Sequence, residues 1–276
     1  MGKSGIYMMV WIAYIAAACL CQALFGRFPV DAFAFPVNVA VTLLWAVCSW
    51  VVWRERKPAW LVALLLSPQT TLVLLAAFVA VCLVQGFCGD RLSSAWWFVA
   101  VVAALLTHLL FVTLRGVRRG RSRLVRFALI HLGLLLALGG GFWGAPDTHQ
   151  WRMAVREDEP TREAVDGEGR MAYMGHELRL ERFSTETYPD GTPKSHVAEI
   201  EIDGGGKATL AVNHPYALSW RDDLYLMGST PHYCIVAWVS QPWKYVQCAG
   251  VWMLMAGAVL LFVQGVGRKT TKGGQA

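Results

Sequence analysis

The chain has 276 residues, 55% of them apolar and 16% charged, with a formal net charge of +6. The apolar residues are bunched into runs long enough to cross a bilayer, which excludes an ordinary soluble globular protein. The positive charge does not point to nucleic acid, because it is dispersed among the short connections between those runs, where it would face anionic lipid.

In chain order, spans are expected near 7–26, 36–53, 69–87, 95–114, 127–144 and 246–266, and none of them contains Asp or Glu. A spanning helix needs about 20 largely uncharged residues, and each run meets that length. Ser67 and Pro68 interrupt the run that starts at Trp60, so 59–66 is read as a short interfacial helix leading into the third span. The apolar start of the chain is read as a first span that stays in place, since no small-residue cleavage site follows it.

Lys3, then Arg54, Arg56 and Lys57, then Arg115, Arg118, Arg119, Arg121, Arg123 and Arg126, then Arg268, Lys269 and Lys272 occupy alternate connections, whereas the other short loops hold only Arg27 and Arg91. Cytoplasmic loops are the Lys- and Arg-rich ones. Both termini are therefore expected inside, and 145–243, which holds 16 of the 19 acidic residues, outside. The fold class is six transmembrane helices with one extracytoplasmic, mainly-β domain between helices five and six. The divisions are 1–144 for five helices, 145–243 for the β-rich domain and 244–276 for the last helix and a cytoplasmic tail.

From 151 to 240 the apolar period changes to two: Leu178 and Leu180, Val197 with Ile200 and Ile202, Leu210 and Val212, then Leu224 and Leu226 mark short strands, and a last strand is expected over Tyr233–Ser240. Pro189-Asp190-Gly191 and Asp203-Gly204-Gly205-Gly206 mark turns, and the product is a small antiparallel sheet or sandwich. No nucleophile elbow, phosphate loop, HExxH or EF-hand pattern occurs. His149, His176, His196, His214 and His232 form no metal-spaced pair and are read as solvated surface groups. Seven cysteines without a CxxC pair argue against thiol redox chemistry and a cysteine zinc site; most are read as apolar packers, with a Cys88–Cys234 disulfide left open.

Two histidines fall within spans, where a polar ring needs a partner. His108 lies about 10 Å before the inner end of span four and His131 about 7 Å after the inner start of span five, by helical rise. The simple reading is a hydrogen bond from each ring to a neighbouring hydroxyl or carbonyl, with Thr107 and Thr113 available to His108. The alternative is axial ligation of heme iron, favoured for His131 because Gly133 and Gly139-Gly140-Gly141 keep one side of its helix small enough for a macrocycle.

Ile130-His131-Leu132-Gly133-Leu134 opening a span, Tyr188-Pro189-Asp190-Gly191-Thr192-Pro193-Lys194, Val212-Asn213-His214-Pro215 followed by Leu224-Tyr225, and Pro242-Trp243-Lys244-Tyr245-Val246 with Ala249-Gly250-Val251-Trp252-Met253 and Ala256-Gly257-Ala258 occur in order. On these the chain resembles the ResB family, also called CcsB, of System II cytochrome c biogenesis, in its short form. The resemblance implies an inner-membrane subunit that, with a CcsA or ResC partner, holds and exports heme b for attachment to apocytochrome c. It matches His131 to a heme-ligand histidine and does not require His108. The partner's tryptophan-rich heme motif is absent; Trp96-Trp97 lacks the flanking Gly and Asp, so the chain is expected not to act as an enzyme alone but as part of a heme-lyase complex. The competing readings are a membrane-anchored extracytoplasmic ligand-binding or sensing module, and a transporter subunit, the latter weakened by the lack of acidic residues in the spans.

The charge pattern predicts that a reporter active only outside works when fused after Asp166 or Gly205 and fails after Gly120 or Gly273. Activity at Gly120 would overturn the orientation.

Overall fold

The computed structural model describes residues 3–88, 94–118, 124–190, 193–230 and 233–264. Arg91, Arg119, Arg121, Arg123, the basic segment 268–272, the turn residues Gly191 and Thr192, and His232 lie outside the described residues, as does the side chain of Cys88. The chain divides into two compact units, Met1–Pro146 with Lys244–Ala276, and Asp147–Trp243.

The first unit is helical. Its elements are α1 (Lys3–Phe25), a 3-10 turn (Val30–Phe33), α2 (Val37–Glu55), the short α3 (Ala59–Leu65), α4 (Pro68–Cys88), α5 (Trp96–Arg118), α6 (Leu124–Gly144) and α7 (Lys244–Gln264). All except the 3-10 turn and α3 are long and apolar enough to cross a membrane, and the protein is a multi-pass membrane protein. Helix is the local solution because an open segment in hydrocarbon satisfies its backbone groups only within itself. The interruptions fall where the sequence supplies them: Arg56 takes a left-handed φ of 57° beyond α2, Pro58 precedes α3, and Pro68 opens α4 after Leu66 and Ser67 end α3. The short α3 falls where the sequence places a short helix before the third span, and one of its faces is packed inward. Val62, Leu64 and Leu65 are buried in a cluster with Trp11, Leu74 and Phe111.

Span α5 is the centre of this unit, with Val101, Val102, Leu105, Leu106 and Phe111 all buried. Around it, polar groups pair across helices: Trp11 Nε1 donates to Thr70 Oγ1 at 3.0 Å, Trp45 Nε1 to Thr107 Oγ1 at 3.0 Å, and the wholly buried Asn38 donates from Nδ2 to the Trp143 carbonyl at 2.9 Å. Such pairs contribute about 0.6–2 kcal/mol each in a membrane, and their geometric demand fixes helix rotation more than their energy fixes stability.

The second unit is one antiparallel sheet of eight strands: β1 (His149–Arg156), β2 (Thr161–Asp166), β3 (Met171–Thr187), β4 (Pro193–Ile202), β5 (Gly206–Ala211), β6 (Tyr216–Ala217), β7 (Asp222–Ser229) and β8 (Tyr233–Ser240), in the order β5-β4-β3-β2-β1-β8-β7-β6. The sheet curls upon itself, because Leu210 of β5 and Leu224 of β7, far apart in strand order, share one core with Val155, Leu178, Ile200 and Val236. The alternating residues named from the sequence supply that core, with two exceptions: Val197 is out of phase with Ile200 and Ile202, so that Ala198 takes the core position, and Val212 lies past the end of β5 and is exposed. β1 and β2 carry charged residues between their apolar ones, and sequence period alone did not single them out. Met153, Val155 and Ala164 are nevertheless buried. Asp203 and Gly204 close the β4–β5 hairpin with φ of 51° and 72°. Asn213 holds a φ of 62° in a turn tied by bonds between Ala211 and His214, a conformation Asn tolerates better than most residues. At the start of β7, burial alone would raise the Asp222 carboxyl, but hydrogen bonds from Ser219, Ser240, Trp238 and Arg221 together hold it below the ordinary carboxylate range.

Helices α6 and α7 approach closely along a seam of glycines. Gly133 and Gly140 are spaced like Gly250 and Gly257, seven residues apart, which keeps each pair on one face. A methyl group added at Gly250 would lie 2.4 Å from the Ala137 backbone nitrogen and 2.6 Å from the Gly133 carbonyl; one at Gly257 would meet Ile130, and one at Gly133 would meet the Gly250 carbonyl at 2.8 Å. Backbone cannot step aside as a side chain can. Gly250→Ala is therefore expected to destabilise the purified protein by about 1–3 kcal/mol, the usual cost of overpacking. Gly139→Ala, whose nearest neighbour would be 4.0 Å away, is the neutral control. Thermal unfolding in detergent reads both, and equal midpoints would refute the seam.

Candidate functional site

His108 sits at the centre of α5 with only 4% of its surface exposed. Both ring nitrogens are engaged: Nδ1 is 2.7 Å from the Leu65 carbonyl, and Nε2 is 3.0 Å from Thr71 Oγ1. A carbonyl only accepts, so Nδ1 carries the proton and the Thr71 hydroxyl donates to Nε2. The partners come from α3 and α4. The hydroxyls suggested by sequence proximity are used otherwise: Thr107 donates to the Ala103 carbonyl at 2.8 Å and Thr113 to the Leu109 carbonyl at 2.7 Å, each one helical turn back. His108 clips α5 to α3 and α4.

His131 lies two turns into α6 and is half-buried. Its Nδ1 is 3.0 Å from the Phe127 carbonyl, and its ring stacks on Phe127 with centroids 3.9 Å apart and planes 25° from parallel. The Nδ1 proton donated to that carbonyl makes Nε2 the lone-pair nitrogen, the form in which imidazole binds metal. Phe127 is itself seated against Gly116 of α5, where an added methyl would fall 2.0 Å from the phenyl ring. Gly116, Phe127 and His131 thus form a stack that fixes ring orientation from two helices. Sequence reading missed this stack, although the i, i+4 spacing of Phe127 and His131 was visible.

Only part of the glycine-bearing side of α6 leaves space: Gly141 borders a concavity, whereas two others do not. Gly133 and Gly140 are filled by α7, so that small face serves helix packing. Room lies elsewhere in the helical unit: a concavity of about 590 Å³ is lined by Ala137, Leu138, Gly141 and Phe142 of α6 together with aromatic residues such as Phe28 and Phe98. Leu138 is seven residues beyond His131 and so shares its helix face, about 10 Å further along. The lining is almost wholly apolar, which fits a flat hydrophobic ring system and supplies no cation for carboxylates. Trp96, the residue nearest to a tryptophan-rich motif, packs edge-on against Phe28 at 4.9 Å.

In the sheet unit, His176 pairs with Asp203 and stacks over Trp238, and His196 bonds Thr185 Oγ1 at 2.9 Å. Among the described residues no three His, Cys, Asp or Glu side chains gather to hold a metal. Cys234 is a free thiol with no exposed surface, and burial pushes its pKa up to about 11, so it stays protonated and inert. A concavity of about 720 Å³ on the sheet is lined by Arg152, Arg156 and Arg162, by Glu159 and Glu163, and by Tyr173.

These units and placements define a class: a polytopic membrane protein carrying a curled antiparallel sheet domain, with one histidine clamped in the bundle and another presented from a helix start. Residues 117–247, just under half of the chain, match the ResB-like family. The segment begins before the Phe127–His131 stack and ends in the first turn of α7. Cytochrome c biogenesis protein CcsB of Synechococcus sp. (strain JA-3-3Ab) is 32% identical over 99 residues, 34% of this chain and 20% of that protein, so the match spans about a fifth of the relative's length. Cytochrome c Heme Lyase CcmF, a solved structure, superposes with a TM-score of 0.38 at 12% identity over 70% of this chain and 34% of its own, a likeness that carries no argument here.

The clamp on His108 generates an expected outcome. His108→Ala leaves the Leu65 carbonyl and the Thr71 hydroxyl without this ring, which should cost about 1–3 kcal/mol of stability in detergent. If the clamp is its whole role, any heme absorption of the purified protein keeps its wavelength. A shifted spectrum at unchanged stability would make His108 a ligand.

Proposed function

We propose that this protein is a subunit of cytochrome c biogenesis that holds heme b in the membrane and passes it outward for attachment to apocytochrome c, together with a CcsA- or ResC-type membrane partner. The observation that carries the reading is the ring of His131: it lies inside the segment that matches the ResB-like family, and its Nδ1 bond to Phe127 leaves Nε2 as the lone-pair nitrogen. His131 is the axial ligand of the heme iron in this reading, and Phe127 and Gly116 set the ring plane. His108 is a structural clip. The first unit and α7 form the membrane part, with both termini cytoplasmic in the inner membrane, and 145–243 is extracytoplasmic, in keeping with the arginines at one set of helix ends. In this reading the sheet unit serves recognition or docking; among its described residues no three His, Cys, Asp or Glu side chains gather to hold a metal, and Cys234 is a buried thiol.

Among the described residues no second histidine is presented in a comparable setting, and in this reading the other ligand and the lyase chemistry belong to the partner. A second reading, a membrane-anchored module that senses or binds an extracytoplasmic ligand, rests on the sheet concavity with its three arginines. A purified complex that is colourless but binds a small anion tightly would favour it.

Changing His131 to Ala should leave the protein inserted and assembled with its partner while lowering bound heme by about tenfold or more, with cytochrome c maturation falling in parallel. Added imidazole should restore part of both by entering the vacated coordination position. Full heme occupancy with an unchanged absorption spectrum in His131→Ala would remove the assignment.

A further inference from the structure

Arginine at the ends of spans is ordinarily a topology signal solvated by water and headgroups. Three of these arginines do something more specific. Arg56, in the left-handed position that ends α2, and Arg115 and Arg118, on the last turns of α5, converge with Leu66 on one concavity of about 360 Å³. Arg115 donates from Nη1 to the Leu66 carbonyl at 3.1 Å, which ties its stem to the end of α3. Arg56 and Arg118 both stand over the Trp53 ring, at 5.2 Å and 5.6 Å from its centroid. No acidic side chain lines the concavity; the acid nearest in sequence, Glu55, pairs with Arg54 at 3.9 Å.

Holding the guanidiniums of Arg56 and Arg118 together over one indole is unfavourable unless something anionic joins them, and the indole face compensates only a part of the charge. Guanidinium forks match the oxygens of a phosphate, and basic pockets between helices at a membrane face suit lipid headgroups. We propose that Arg56, Arg115 and Arg118 form a binding site for the phosphate of an anionic phospholipid. The surroundings favour a lipid over a soluble phosphate. Val51, Trp60 and Val117, on the elements that carry the arginines or border Leu66, are exposed apolar residues of the kind that meet acyl chains. The site is independent of heme binding, and it ties together the ends of α2, α3 and α5, of which α3 and α5 also meet at His108.

The test uses the full-length protein in detergent micelles, titrated with phosphatidylglycerol, with phosphatidylcholine or with inorganic phosphate while thermal unfolding is followed. Phosphatidylglycerol should raise the midpoint saturably and phosphatidylcholine should not. Arg56→Gln with Arg118→Gln should weaken the half-saturating concentration by about tenfold or more, the loss expected when charge-assisted hydrogen bonds are removed. Arg56→Lys with Arg118→Lys keeps the charge and should weaken it less, which separates loss of the site from loss of the fold. Native mass spectrometry should show a phosphatidylglycerol adduct on the wild type and not on the Gln variant. Equal stabilisation of wild type and Gln variant, or none of either, overturns the site. An equal effect from inorganic phosphate at the same concentration overturns the lipid assignment.

Discussion

The close approach of α6 and α7 is the contact on which the most sequence-specific features depend. Gly250 sits against the backbone of α6 at Gly133 and Ala137, and Gly257 sits against Ile130, immediately before His131 in the chain. Packing this tight is the main source of helix association in a membrane, where no hydrophobic effect separates one apolar helix from lipid. The same seam fixes which faces of α6 remain for other uses. With Gly133 and Gly140 spent on α7, His131 is left on a face shared with Leu138, which lines the apolar concavity about 10 Å further along the helix.

The two intramembrane histidines illustrate how burial separates roles. Each needs a hydrogen-bonded partner because an unmet polar group in hydrocarbon is costly. For His108 the requirement is met at both nitrogens by two other elements, so the ring is spent on architecture. For His131 a bond runs to its own helix one turn back and a flat contact is made with Phe127, which orients the ring. Gly116 belongs to this arrangement even though it touches no histidine, since the phenyl ring occupies the position of its absent side chain.

Several of the conserved-looking sequence pieces acquire physical reasons. In Val212-Asn213-His214-Pro215, Asn213 supplies a left-handed residue and Ala211 and His214 close the turn around it. In Ala249-Gly250-Val251 and Ala256-Gly257-Ala258, the glycines are the points of backbone contact. Pro242-Trp243 lies between β8 and α7, and Trp243 Nε1 donates to Asp147 Oδ2 at 2.8 Å, joining the two ends of the sheet unit next to the paired strands β1 and β8. The pieces read as one family signature are therefore largely devices for holding a strand pair and a helix pair.

The sequence by itself determined the membrane class, the number of long apolar helices, the switch to period two and several strands, because these follow from hydropathy and side-chain alternation along the chain. It also marked His131 and His108 as the residues to examine. β1 and β2 escaped because their charged residues obscure alternation, and the short α3 was expected but its buried face was not, because that face is covered by partners distant in sequence. What only the tertiary structure decided was the division of labour among small and polar residues. Gly133 and Gly140 are filled by α7 while Gly141 borders the apolar concavity, His108 takes its partners from Leu65 and Thr71 instead of its own helix, and arginines scattered over two connections meet in one concavity. Each of these depends on which helix faces which, and in hydrocarbon that choice is set by close packing and by pairing of polar groups, neither of which leaves a periodic trace along the chain.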